Sequence, residues 1–149
     1  NNKSKIKFEM DSGVLISKVI DGRFPDYSKV IPKGNDKVLN IKLNEFRNSI
    51  ERVTTVSSDR TKGLKMAISK DSVQLSVNNP SSGEGIENIK ANFNSDDLNI
   101  TFNSRYLTDI ASQIENESIV INLKDAGSPV LINDFSDKNS FHVVMPMKI

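Results

Sequence analysis

Apolar and polar residues alternate in two stretches of the chain, and each stretch leads directly into a segment with helical periodicity. The alternating apolar positions are Leu39, Ile41 and Leu43 in the first stretch and Leu98, Ile100 and Phe102 in the second. A period of two is typical of a strand with one buried face. Asn44 and Asn103 follow, where a side-chain oxygen can cap a helix N-terminus. The pattern predicts two copies of a strand that runs straight into a helix.

Both predicted helices, 44–57 and 103–115, are amphipathic. Their apolar sides contain Phe46, Ile50, Val53 and Ser57 in the first helix and Leu107, Ile110, Ala111 and Ile114 in the second. Their polar sides contain Asn44, Asn48, Glu51, Arg52 and Thr55 in the first and Arg105, Thr108, Asp109, Ser112 and Gln113 in the second. These polar sides are nearly neutral, so solvated helix surface is the interpretation that the residues alone favour.

The segments after the two helices also match each other. Residues 64–77 and 119–132 both show the pattern of strand, short turn and strand. The predicted strands are 37–43, 63–69, 72–79 and 86–94 in the first copy, and 97–102, 118–124, 129–134 and a last one from residue 140 in the second. A duplicated unit usually packs against its twin, because neither copy alone buries its apolar face. We therefore expect an α+β domain with pseudo-two-fold symmetry, the alternative being a chance similarity of two common patterns.

The two ends of the chain show different patterns. Residues 1–20 predict a β-hairpin, which alone is marginally stable and so indicates a sheet completed by residues before Asn1. The chain is thus expected to be a fragment. Residues 21–36 form an irregular connector whose apolar side chains, such as Phe24 and Tyr27, predict packing in a surface seam. Residues 141–149 are mostly apolar, which indicates either an exposed surface that binds another protein or a strand buried in its own sheet.

Composition narrows the classes of function. The 149 residues suit one domain with its own core. Without cysteine, and with His142 the single histidine, the chain offers neither thiolate chemistry nor most metal sites, so no cofactor is expected. A net charge of +1 argues against tight nucleic-acid binding. No apolar run is long enough for a membrane span, so a soluble, intracellular chain is expected.

Three motifs resemble the bacterial sliding clamp family, the beta subunit of DNA polymerase III. They are VLISKVID at 14–21, GRFPDYSKVIP at 22–32 and VVMPMKI at 143–149. The resemblance implies that residues 1–20 are the terminal hairpin of the middle clamp domain, 21–36 the interdomain connector and 37–149 the C-terminal domain. It also implies the DNA-clamp fold, a duplicated strand-helix-strand-strand-strand unit with two helices packed on one face of antiparallel sheets.

The resemblance further implies a non-catalytic processivity factor of DNA replication, a homodimeric ring that slides on duplex DNA in the cytoplasm, near the nucleoid. Its expected partners are duplex DNA, held weakly and without sequence preference, the polymerase III alpha subunit, the clamp loader and other proteins with clamp-binding motifs. Arg52 and Arg105 are the implied DNA-facing residues. In the head-to-tail homodimer of the full-length protein, the implied contact residues are Thr55, Val56, Lys62 and Leu64.

The family's partner peptides bind in a hydrophobic pocket. The positions implied here are Pro25, Lys29, Val30, Tyr106, Gly127, Pro129, Val143, Val144, Met145, Pro146 and Met147. Lys29 stands where the family often has arginine, which puts a planar or bidentate contact in doubt. The ending Lys148-Ile149 replaces a more usual Arg-Leu and keeps its charge and apolar character.

An alternative from another class is a small β-rich carbohydrate-binding module or hydrolase. Its carboxylates would be Asp96, Asp97, Asp134 and Asp137. They lie at strand ends or turns, where solvated turn residues explain them better.

Overall fold

The computed structural model describes residues 4–57, 62–136 and 140–148. The strands within these ranges are β1 (Lys5–Met10), β2 (Gly13–Lys18), β3 (Lys37–Lys42), β4 (Gly63–Ser69), β5 (Ser72–Asn79), β6 (Gly83–Phe93), β7 (Leu98–Asn103), β8 (Ser118–Leu123), β9 (Val130–Asp134) and β10 (Phe141–Val144). The two α-helices are α1 (Leu43–Thr54) and α2 (Ser104–Gln113).

The duplication predicted from the sequence is visible in the order of the strands. Eight strands form a sheet in the order β10-β9-β8-β3-β6-β5-β4-β7, and each neighbouring pair is antiparallel. The first strand of each copy pairs with strands of the other copy, since β3 lies beside β8 and β7 lies beside β4. Each four-stranded half of the sheet therefore contains three strands of one copy and the first strand of the other. Neither copy forms a four-stranded half alone.

The core lies between this sheet and the two helices. Phe46, Ile50 and Val53 of α1 are buried, as are Leu107 and Ala111 of α2. The helices contact each other, and the Arg47 guanidinium of α1 donates a hydrogen bond to the carbonyl oxygen of Ala111. The expected fold class is confirmed: two helices packed together on antiparallel sheets.

The two helices begin differently. The Asn103 side chain accepts a hydrogen bond from the Arg105 backbone N–H at 3.1 Å, as predicted. The predicted cap at Asn44 is wrong, because α1 begins one residue earlier, at Leu43. The Leu43 N–H instead donates to the carbonyl of Glu117 at 2.8 Å, a long-range contact that satisfies one free donor at the helix start.

The hairpin predicted in residues 1–20 is present as a separate two-stranded sheet of β1 and β2. Its apolar side chains are exposed. Phe24 and Tyr27 of the connector are 87% and 72% exposed among the described residues, so packing of the connector in a seam stays a prediction. Near its end the connector is held to the domain by the Asn35 side-chain amide, which donates to the carbonyls of Asn122 and Pro129 at 2.9 Å each.

Neither helix is long and apolar enough to cross a membrane, a statement that covers the described ranges only.

Candidate functional site

An apolar groove lies between α2 and the C-terminal strand β10. Its volume is about 560 Å³. The side chains that line it are Tyr106, Asp109, Ile110, Phe141, His142, Val143, Val144 and Met145. Several of these apolar side chains remain exposed, with Tyr106 at 56% and Met145 at 57%. Exposed apolar side chains gathered in a concave surface are typical of a site that binds another molecule.

The α2 wall of the groove follows from helix geometry. Tyr106, Asp109 and Ile110 are spaced at i, i+3 and i+4, so they lie on one side of the helix. Leu107 and Ala111 lie on the adjacent side and are buried in the core. This burial fixes the helix, so the groove wall is rigid.

The opposite wall is held by the segment that follows β10. Val144 and Pro146 are buried, whereas Met145 between them is exposed. The backbone N–H of Met147 donates to the carbonyl of Thr101 in β7 at 2.7 Å. Because β10 and β7 are the two edges of the eight-stranded sheet, this segment bridges the edges and presents Met145 to the groove.

A second depression lies on the β7 side of the same segment. Its volume is about 450 Å³, and it is lined by Asn99, Ile100, Thr101, Ala126, Gly127, Met147 and Lys148. The loop that carries Gly127 is held by Asp125, whose carboxylate accepts from the N–H groups of Gly127 and Ser128 at 2.9 and 2.7 Å. These hydrogen bonds, with that from the Ser128 hydroxyl, lower the pKa of Asp125.

The eleven positions implied for peptide binding fall into three places. Four line the groove: Tyr106, Val143, Val144 and Met145. Gly127 and Met147 line the second depression, half-buried Pro129 lies beside its loop, and Pro146 is buried between the two sites. Pro25, Lys29 and Val30 are exposed on the connector and line neither cavity.

Four groove residues were not predicted: Asp109, Ile110, Phe141 and His142. The spacing from Tyr106 to Asp109 and Ile110 is the signal in the sequence that points to two of them, although the helical pattern places Ile110 on the core side. Ile110 in fact packs against the core and also lines the groove.

A polar recess adjoins the groove at His142, which lines both. The recess has a volume of about 320 Å³ and is lined by Gln113, Ile114, Glu115, Asn116, Asp134, Ser140 and His142. The Asn116 amide lies 2.7 Å from each carboxylate oxygen of Asp134. This hydrogen bond, with that from the Ser136 N–H, lowers the pKa of Asp134 to about 2.

These contacts give Asp134 a structural role at a strand end, which weakens the hydrolase alternative. Asp96 and Asp97 are exposed in the turn before β7. Asp137 lies outside the described residues. Within the described ranges, no three histidine or acidic side chains form a group that could hold a metal ion.

The two DNA-facing candidates have different surroundings. The Arg52 guanidinium forms an ion pair with Glu87 of β6, with Nη2 and Oε2 2.8 Å apart, and donates to the Ser49 hydroxyl at 3.2 Å. Arg52, followed by Ser49, lowers the pKa of Glu87 to about 2, and Glu87 raises the pKa of Arg52. The positive charge of Arg52 is therefore balanced within the domain. Arg105 is exposed and forms no ion pair within the described part of the chain.

The positions implied for the homodimer contact are not equally accessible. Thr55 is exposed at the end of α1, and Val56 and Lys62 are half-buried. Leu64 is fully buried, and its strand β4 pairs with β5 on one side and β7 on the other. The Leu64 side chain is thus part of the domain's own core, and the expectation that it contacts a second protomer is wrong.

Comparison with known proteins agrees with this architecture. A family model described as DNA polymerase III beta subunit, C-terminal domain, matches residues 28–148. The beta sliding clamp of Caulobacter vibrioides strain NA1000 / CB15N is 34% identical over 145 residues, which cover 97% of this chain and 39% of that protein. The chain spans about two fifths of the length of such relatives.

Solved structures give the same result. A DnaN sliding clamp (DNA polymerase III subunit beta) from Bartonella birtlesii bound to griselimycin aligns with a TM-score of 0.89 and 42% identity, over 98% of this chain and 39% of that one. A DNA polymerase sliding clamp from Pseudomonas aeruginosa with ligand aligns with a TM-score of 0.87 and 30% identity, over 100% of this chain and 41% of that one. The chain therefore belongs to the DNA polymerase III beta subunit family and contains that family's C-terminal domain.

Proposed function

We propose that the chain is the C-terminal part of a replication processivity factor, a ring-shaped clamp that encircles and slides on duplex DNA and docks partner peptides. It is a non-catalytic subunit, and its place of action is the cytoplasm, at the nucleoid. Family membership supports the clamp. The observation that supports peptide docking most directly is the groove between α2 and β10, where Tyr106 and Met145 are exposed above a buried core.

The groove suits a short linear segment with large apolar side chains. Its walls are rigid, because α2 and β10 are both fixed to the core. Met145 adds an unbranched, flexible side chain that can adapt to different apolar groups. Such a lining favours several partners over one, as expected of a docking site used by the polymerase alpha subunit, the clamp loader and other proteins with clamp-binding motifs.

Sliding on DNA requires weak, sequence-independent contacts, since a ring holds DNA by topology. The charges on the helices are consistent with this: Glu45 and Glu51 offset Arg47 and Arg52 in α1, and Asp109 offsets Arg105 in α2. Arg105 is the stronger candidate for phosphate attraction, because Glu87 already pairs with Arg52. In a protein of the relatives' full length, this domain would pair head to tail with a second protomer through the end of α1.

Two-dimensional NMR of the isotope-labelled 149-residue chain tests peptide docking and detects weak binding as well as tight binding. The probe is a short peptide with adjacent Leu and Phe anchors, titrated to millimolar concentration. We expect chemical-shift changes to concentrate at Tyr106, Ile110, Val143 and Met145. The matched control is the same peptide with both anchors replaced by Ser, which should leave these signals unchanged.

Two results would count against docking in the groove. Shift changes confined to the exposed hairpin of β1 and β2 would indicate non-specific adsorption to apolar surface. Equal changes with the Ser control peptide would show that the apolar anchors are not recognised.

A further inference from the structure

We propose that the groove continues past His142 into the recess, and that the recess binds a basic side chain of the same partner peptide. Peptides with a Lys or Arg next to their apolar anchors would then bind more tightly than peptides with a neutral flank. This inference rests on the proposed function of the groove and adds a second determinant of partner choice to it.

The groove and the recess adjoin at His142, which lines both, and the two together are called the furrow. Tyr106 and Ile110 are four residues apart on one side of α2, and Ile114 follows directly after the helix ends at Gln113. The first two line the groove and the third lines the recess. On the facing wall, His142 lines both cavities and Ser140 extends the recess. An extended peptide that places apolar side chains beside Tyr106 can therefore place a flanking residue beside Glu115.

The furrow changes from apolar to acidic along its length. Asp109 lies at the edge of the groove, and Glu115 and Asp134 line the recess. Among the described residues that line either cavity there is no lysine or arginine, so an incoming cation meets carboxylates without a competing ammonium or guanidinium group. Charge complementarity of this kind selects partners more than it adds raw affinity.

The recess has acceptor capacity left for a cation. Glu115 is exposed and has no hydrogen-bond or ion-pair partner within the described part of the chain. Asp134 is held in place by Asn116 and Ser136, and its Oδ2, which accepts only from Asn116 among the described residues, can accept a further hydrogen bond. A lysine can lay its methylene stem along the apolar groove while its ammonium group reaches these carboxylates, which is the usual behaviour of this side chain at apolar surfaces.

Three fluorescent peptides with the same Leu and Phe anchors test the inference by anisotropy with the 149-residue chain. One has neutral flanks, one has a Lys on the N-terminal flank and one has a Lys on the C-terminal flank. We expect one of the two Lys peptides to bind about threefold more tightly than the neutral peptide, as for one solvent-exposed ion pair. Raising the salt concentration should reduce this gain.

Two charge-neutralising variants locate the effect. Glu115→Gln should abolish the gain while leaving the affinity for the neutral peptide unchanged. Glu117→Gln is the matched control, since Glu117 is exposed two residues away and lines neither cavity, and it should keep the gain.

Equal affinity for all three peptides, or a gain that persists in Glu115→Gln, would overturn the inference and leave the proposed docking function of the groove unaffected. Failure of the neutral peptide to bind at any concentration would instead refute the proposed function and this extension with it.

Discussion

At the scale of single residues, Asn44 and Asn103 show how the same local pattern leads to different contacts. Each follows a strand and opens a helical segment. Asn103 caps α2 through its side chain, whereas α1 begins at Leu43 and uses the distant carbonyl of Glu117. A side-chain cap is encoded locally, but a carbonyl supplied from another part of the chain is not. The two asparagines should therefore respond differently to substitution.

Asn103→Ala should lower the free energy of unfolding by about 1 kcal/mol, because the Arg105 N–H loses its acceptor. Asn44→Ala is the matched control and should change stability by only a few tenths of a kcal/mol, since Asn44 is exposed within the first turn and alanine favours helix. Urea denaturation of both variants measures the difference. Equal losses would show that Asn44 also acts as a cap.

The ion pair of Arg52 and Glu87 predicts a pH dependence of stability. The folded-state pKa of Glu87, about 2, lies below the ordinary value of 4.5. A lowered carboxyl pKa stabilises the fold above the ordinary pKa, and this stabilisation is lost as pH falls from about 4.5 towards 2. Glu87→Gln should therefore reduce the slope of the free energy of unfolding against pH in that window. Glu84→Gln, an exposed change on the same strand, should leave the slope as it is.

At the scale of elements, α1 approaches the sheet closely at Gly85 of β6. A Cβ atom at this position would lie 2.7 Å from the carbonyl oxygen of Val53 and 3.0 Å from its Cα, both backbone atoms of α1. Backbone atoms yield less easily than the end of a side chain. Glycine at this position therefore sets the distance between α1 and β6.

Gly85→Ala should destabilise the domain by about 1–3 kcal/mol, the usual cost of overpacking a core. The control is Gly63→Ala in β4, where a Cβ atom would make an ordinary contact of 3.5 Å with the Thr101 methyl group. Thermal unfolding compares the two variants. A Gly85→Ala protein as stable as the Gly63→Ala protein would mean that α1 can move away without cost.

Elements with a clear period were predictable from sequence. The strand predicted at 63–69 is β4 with the same bounds, because Leu64, Met66 and Ile68 alternate inward. The pairing of β3 with β8 was not predictable, since nothing local says which distant strand lies alongside. The close contact of Gly85 with α1 was not predictable from sequence for the same reason. Periodicity encodes a buried face, but the partner that covers the face is fixed by the whole fold.

The same limit explains the errors at the candidate site. The family resemblance implied Leu64 as an interface residue, but its alternation with Met66 marks it as core. The groove residues Tyr106 and Met145 were predicted through family resemblance. Their neighbour Phe141 could be identified only once β10 was placed beside α2.

At the scale of the whole molecule, the proposed ring depends on the end of α1. Thr55 is exposed there, at the border of the residues the structure describes. In a protein of the relatives' full length, sedimentation at micromolar concentration should show a dimer, and Thr55→Arg should shift it towards monomer by placing a bulky charge in the contact. Asn44→Arg, at the other end of α1, is the control and should leave the dimer unchanged. A full-length protein that is monomeric without substitution would contradict the ring.

The groove is the feature by which this domain would connect replication enzymes to DNA, so its affinity for peptides is the most direct test of the account. The measurement is the dissociation constant of the Leu- and Phe-anchored peptide for the unmodified chain, for Met145→Ala and for Met10→Ala. Met10 is an equally exposed methionine in the hairpin, at 61%, and serves as the matched control. We expect about tenfold weaker binding for Met145→Ala, the loss typical of a central apolar contact, and no change for Met10→Ala. Equal dissociation constants for the unmodified chain and Met145→Ala would contradict the assignment of the groove as the docking site.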